Sequence, residues 1–117
     1  MDIRVGGGVV VNTTRITIRP ENRKELFQTI SSLLSPIRGE RGCLDYRFYQ
    51  EAGDENSFVM IGEWETRDAC DQHLQSDDFA ILLASMMILG GRPNIDFKLL
   101  SPVAGIETAI GTRTWYH

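Results

Sequence analysis

Residues 9–19, VVVNTTRITIR, alternate with a period of two. Val10, Ile16 and Ile18 make one face apolar, with Asn12 and Thr14 on the same face. Arg15, Thr17 and Arg19 end the other face, so the stretch predicts a strand with a polar outer end. The period then changes. Pro20 suits the first helical position, and Leu26, Phe27, Ile30, Leu33 and Leu34 recur at helical spacing. Pro36 and Gly39 follow, which predicts an amphipathic helix over 20–35. Residues 43–51, CLDYRFYQE, alternate again: Leu44, Tyr46 and Phe48 fall on one face, Asp45, Arg47 and Tyr49 on the other. AGDEN reads as a hairpin turn, and SFVMIGEWE returns over 57–65 as a strand apolar on both faces at its start.

Thr66 is the expected cap of a short helix whose apolar stripe is Ala69, Cys70, His73 and Leu74, with Asp68 favourable to its dipole. Ser76, Asp77 and Asp78 precede a second helix over 79–89 that is apolar nearly all round, a pattern of burial on most sides. Gly90, Gly91 and Pro93 stop it. NIDFKLL, 94–100, predicts a last strand with Ile95, Phe97 and Leu99 inward. The order β-α-β-β-α(α)-β is the ferredoxin-like split βαβ pattern, an α+β fold with a four-stranded antiparallel sheet and helices on one face. Residues 1–8 read as a flexible lead-in and 9–102 as the domain. Residues 103–117 read as a tail whose Trp115 and Tyr116 dock on a partner subunit.

Composition narrows the function classes. The chain has 117 residues, enough for one domain with a modest core, and a net charge of −4 with no basic stripe. That argues against a nucleic-acid phosphate footprint. The start, MDIRVGGG, lacks the apolar segment of a secretory leader. FAILLASMMIL is too short to cross a bilayer, so a soluble cytoplasmic protein with no membrane partner is expected. Cys43 and Cys70 read as buried thiols in a reducing compartment. Gly6–Gly8 precede a strand instead of following one, which is the wrong order for a phosphate loop. The sequence contains no H-E-x-x-H, no Cys/His cluster, no G-x-S-x-G elbow and no dinucleotide fingerprint after a strand, and no metal site is expected.

Several short motifs do point somewhere. Arg41-Gly42-Cys43 leads into the second strand, and Glu63-Trp64-Glu65 closes the third. Ala69 and His73-Leu74-x-Ser76 lie on the helix after it. Together with the element order, over roughly residues 9–102, these resemble the antibiotic biosynthesis monooxygenase family of the dimeric α+β barrel superfamily. The resemblance implies a homodimeric barrel, formed where the second apolar face of strand 57–62 meets its copy. It also implies chemistry with no flavin, haem or metal on an aromatic or quinol-type small molecule and O2. The family's haem-degrading branch fits poorly. The positions where it carries an Asn, a Trp and a His ligand fall on Thr14, His73 and Leu83, although Asn12 lies two residues from the first on the same face.

On this reading the catalytic candidates are His73 as base, Asn12 as donor to a developing oxyanion, and Trp64 stacking on a flat substrate. Thr14, Tyr46, Met60, Phe79, Leu83 and Met87 are the candidate substrate-binding residues. Each has a plainer reading. Trp64 also suits a core aromatic at the sheet–helix junction, and His73 also suits a structural histidine bonded to the 76–78 turn. Thr14 also suits a hydroxyl bonded within the sheet, and the methionines suit ordinary core. Glu63 is expected on the opposite face from Trp64, at the subunit interface and paired with Arg15 or Arg47. Two other functions use the same residues: a lyase or cyclase on this fold, and a small-molecule-binding dimer without turnover.

Overall fold

The computed structural model describes residues 9–90 and the backbone of 94–100. Four strands form one antiparallel sheet in the order β2-β3-β1-β4: β1 (Val9–Thr17), β2 (Cys43–Glu51), β3 (Asp54–Trp64) and β4 (Asn94–Leu100), the last placed by its backbone pairing with β1. A 3-10 turn, Pro20–Asn22, leads into α1 (Arg23–Arg38). α2 (Arg67–Leu74) and α3 (Asp77–Leu89) follow β3. This is the α+β, ferredoxin-like arrangement of an antiparallel sheet and three helices. The lead-in 1–8, the tail 103–117 and the inward side chains expected on β4 lie outside the described residues. None of the described helices is long and apolar enough to cross a membrane.

The alternation read in β1 and β3 sets the core. Val10, Asn12, Thr14 and Ile16 of β1 and Phe58, Met60, Gly62 and Trp64 of β3 are buried on the same face. Leu26, Ile30, Leu33 and Ile37 of α1, Ala69, Cys70 and His73 of α2, and Phe79, Leu82, Met86 and Leu89 of α3 complete that core. Val59 and Ile61, on the opposite side of the pleat, are only half-buried.

Three expectations change. Pro36 lies inside α1 instead of ending it. Its missing N–H costs one bond of the last turn, while fully buried Ile37 anchors that turn and Gly39 N–H closes it on Ser35 and Pro36 oxygens. The face shared by Leu44, Tyr46 and Phe48 is broken. A bulge between Cys43 and Asp45 puts an extra residue into β2, and Leu44 is exposed as a result. Finally, α3 buries one stripe only. Ile81, Met87 and Ile88 stand exposed, at 52%, 56% and 75%, because among the described elements α1 and α2 pack on the side that carries Phe79, Leu82, Met86 and Leu89.

Both predicted caps form. Thr66 Oγ1 accepts from Ala69 N–H and Ser76 Oγ accepts from Phe79 N–H, each at 3.1 Å. Gly42 turns the chain into β2 with φ +78°, the left-handed region open to glycine. A Cβ there would sit 2.5 Å from the Ala69 Cβ. Two of the motif residues, Gly42 and Ala69, are therefore two sides of one close contact that seats α2 against the start of β2.

Candidate functional site

Trp64 and His73 are in face-to-face contact. Their ring centroids lie 4.5 Å apart with planes 27° from parallel. Strand alternation turns Trp64 toward the helices, and α2 lies back over the same face with His73 on its buried stripe. Tyr46 and Phe79 tilt against the imidazole at 5.4 and 5.0 Å. All four rings are at most 3% exposed.

Beneath the rings Asn12 and Trp64 are joined. The indole N–H donates to Asn12 Oδ1 at 2.7 Å, with both residues fully buried. An indole N–H can only donate, so this bond fixes the Asn12 amide with its NH2 turned elsewhere. That Nδ2 has no hydrogen-bond partner in the structure, and neither do Thr14 Oγ1, Tyr46 OH or His73 Nε2. An unpaired buried polar atom costs about 1–3 kcal/mol. Four such atoms on one contiguous patch of side chains make it polar and unsatisfied in an otherwise apolar core, a composition suited to waters or a ligand.

Gly62 makes the arrangement possible. A Cβ at this position would overlap Asn12 Oδ1 and come within 2.8 Å of Trp64 Nε1 and 3.0 Å of Tyr46 Cδ1. Nothing in the strand periodicity marks this requirement, because a glycine in a strand is more often read as a bulge or a weak point.

The other side of His73 meets a residue that the sequence reading did not select. Nδ1 lies 2.8 Å from Glu40 Oε1, with the His73 side chain fully buried and that of Glu40 17% exposed. Glu40 comes from the loop between α1 and β2, 33 positions away in sequence, where no periodicity applies. Its one legible signal was adjacency to Arg41-Gly42-Cys43. Burial pushes the imidazole down to about 4, so the ring is neutral at neutral pH. Burial, and secondarily the Asp78 charge, push the Glu40 carboxyl up to about 7 against the opposing hydrogen bond from Ser76. Burial likewise raises the Tyr46 phenol well above its usual range. The side chain of His73 does not bond the 76–78 turn, as its plainer reading had it. Only its main-chain oxygen does so, accepting from Ser76 Oγ at 2.7 Å.

The candidate residues thus divide. His73, Asn12, Trp64, Tyr46, Phe79, Met60 and Thr14 come together on one buried face. Leu83 is half-buried at the margin of the core. Met87 is a correction: at 56% exposure it points away from the cluster and cannot be a wall of it. Glu63 is half-buried and sits on the opposite face from Trp64. Among the described residues it makes no ion pair with Arg15 or Arg47; Arg47 pairs instead with Asp45. The space bordering His73 is a shallow depression of about 150 Å³, lined by Glu40, Arg41, Ala69, Gln72, His73 and Ser76. Trp64 is not among its walls. Among the described residues no group of His, Cys, Asp or Glu is placed to hold a metal ion.

Comparison with known proteins agrees with the fold and the motifs. YcnE of Bacillus subtilis (strain 168), named as a candidate monooxygenase, is 31% identical over 71 residues, 61% of this chain and 75% of its own. The uncharacterised protein sll1783 of Synechocystis is 30% identical over 78 residues, and the chain spans only 53% of its length. Among solved structures, Rv0793 of Mycobacterium tuberculosis superposes with a TM-score of 0.70 at 26% identity, over 84% of this chain and 98% of that one. SnoaB of Streptomyces nogalater, described as a cofactor-independent oxygenase, shares the fold with a TM-score of 0.71 at 17% identity, over 81% and 95% of the two chains. The family model described as antibiotic biosynthesis monooxygenase matches residues 9–81, which hold β1 through the start of α3 and every residue of the buried cluster, and the chain belongs to that family.

Proposed function

We propose that the chain is a cofactor-independent monooxygenase acting on a small aromatic or quinol-type molecule, with His73 as its general base. One observation carries the reading: a neutral, buried imidazole is held by Glu40 at Nδ1 while Nε2, in the unsatisfied cluster, has no partner. A free ring nitrogen on a neutral imidazole is a proton acceptor. Asn12 Nδ2, oriented by Trp64, is the available donor for a developing oxyanion. Trp64, Tyr46, Phe79 and Met60 supply flat and adaptable apolar walls.

The electrons come from the substrate. Removal of a proton from an anthrone-like CH2 or a phenol leaves an electron-rich anion. The anion passes one electron to O2, and the radical pair recombines to a peroxide. Loss of water from the peroxide leaves a ketone or quinone, with one oxygen atom in the product and the other in the water. Burial excludes solvent from the anion. Oxygen uptake with anthrone, followed by mass spectrometry for one labelled atom from 18O2 in the product, tests this. Product formed without oxygen uptake indicates a lyase or cyclase using the same base.

A second reading rests on a different observation. Asn12, Trp64, Tyr46, Met60 and His73 are all at most 1% exposed, so the protein's own side chains fill the site. A non-catalytic binding dimer fits that packing, and it is the reading left if no turnover occurs. In either case we propose a homodimer built on the sheet face that carries Val11, Val59 and Ile61, which no described helix covers. Sedimentation at micromolar concentration should give a dimer, and substituting Ile61→Lys should give monomer. A monomeric parent protein would rule the dimer out.

A further inference from the structure

We propose that Glu40 is a positioning residue that decides which ring nitrogen of His73 carries the proton and provides that proton's route to solvent. The inference rests on the reading of His73 as the base. Its geometry is independent of any substrate. Glu40 Oε1 lies 2.8 Å from Nδ1, and its side chain is partly exposed where that of His73 is not. The carboxyl also lines the depression beside His73. The imidazole therefore touches the unsatisfied cluster through Nε2 and the solvent side through Nδ1 and Glu40.

Ser76 holds the second carboxyl oxygen only loosely. Its hydroxyl has one proton and two acceptors in reach, His73 O at 2.7 Å and Glu40 Oε2 at 3.4 Å. The shorter bond to His73 O is the stronger, and Glu40 Oε2 receives the longer, weaker one. The groups facing Glu40 are His73 from α2, Asp78 from α3, Cys43 and Tyr46 from β2, and Arg41 beside it in the loop. Burial, and secondarily the Asp78 charge, oppose a charge on Glu40, so the carboxyl exchanges protons near neutrality and not only in acid.

The two protonation states of Glu40 give opposite tautomers. An ionised carboxylate accepts from Nδ1–H, which leaves Nε2 as a lone pair. A protonated carboxyl donates to Nδ1, which obliges the neutral ring to carry its proton on Nε2. In turnover, the substrate proton lands on Nε2, the Nδ1 proton crosses to Oε1, and Oε1–H releases it to water in the depression. The Nε2 proton then passes to the reduced oxygen, and a proton returning through Glu40 restores Nδ1–H.

The experiment is 15N NMR of protein labelled at histidine, in a His117→Gln background so that His73 gives the only ring signals. With burial placing Glu40 at about 7, the two ring nitrogens should exchange protonated and unprotonated character between pH 5.5 and 9. In Glu40→Gln, which keeps the size but cannot titrate, both signals should be flat over that range. Glu40→Asp guards against a folding defect in the amide variant and should shift the transition while keeping it. Signals flat in the parent protein, or an unchanged transition in Glu40→Gln, overturn the proposal. If anthrone turns over, Glu40→Gln should lower kcat at pH 8 by about tenfold or more with KM little changed, and formate should rescue Glu40→Ala. If the NMR transition appears and no oxygen is consumed, the oxygenase reading fails while control by Glu40 stands.

Discussion

His73→Gln should reduce oxygenase turnover by about 10²- to 10⁴-fold, the usual worth of a positioned general base. Gln is the informative substitution because its amide can still meet Glu40 and fill most of the space against Trp64, Tyr46 and Phe79, so loss of activity would not reflect loss of fold. The same base predicts the pH profile of the parent protein. The Nε2 lone pair exists when Glu40 is ionised, and burial raises that carboxyl to about 7. Activity should therefore be low below neutrality and rise with pH through about 7, then level off, because the His73 imidazole, lowered to about 4, is already neutral there. Initial rates of oxygen uptake from pH 5.5 to 9 measure both effects. A variant within threefold of the parent would remove His73 from the chemistry.

The second large effect concerns stability. Gly62→Ala adds one methyl group where Asn12, Trp64 and Tyr46 converge. Fully buried neighbours cannot move aside without breaking the Asn12–Trp64 bond, which would leave the indole N–H as a further unpaired buried donor. Overpacking and the lost bond together should cost about 3 kcal/mol, a fall in Tm of roughly 10–15 °C. Gly53→Ala is the control. A Cβ at Gly53 meets nothing within 4 Å and its φ is not positive, so the melting curve should be unchanged within error. An equal, small shift in both variants would mean that the cluster yields easily and that the Asn12–Trp64 bond matters little.

The plan of the fold could be read from the chain because it rests on local periodicity. Alternation in 9–19 and helical spacing in 20–35 each name one face, and that face is the one buried; 57–65 reads as apolar on both faces at its start, and the structure turns Phe58, Met60 and Trp64 to the helices. Even the contact of Trp64 with His73 follows, since strand alternation and the α2 stripe both turn inward and the two elements are joined by two residues. Local pattern misled where a single residue changes the geometry. One extra residue in β2 moves Leu44 out to solvent, and Ile37 carries α1 past Pro36. It also misled where the number of covering elements decides burial. The residues of α3 are apolar on all sides, yet among the described residues only one side is buried, and this is why Met87 lies outside the cluster.

The site divides in the same way. Sequence alone determined which side chains share a face: Asn12 and Thr14 with Trp64 and Met60 across the sheet, and His73 opposite them. The tertiary structure decided their chemistry. The proton position on His73 depends on Glu40, which a loop brings from 33 positions away, and no periodic signal can encode a pairing made by chain closure. The orientation of the Asn12 amide depends on the Trp64 indole 52 positions later, and on the absence of a Cβ at Gly62. Which atoms are left without partners is a property of the packed set, because a hydrogen bond is satisfied or orphaned only once every neighbour is in place.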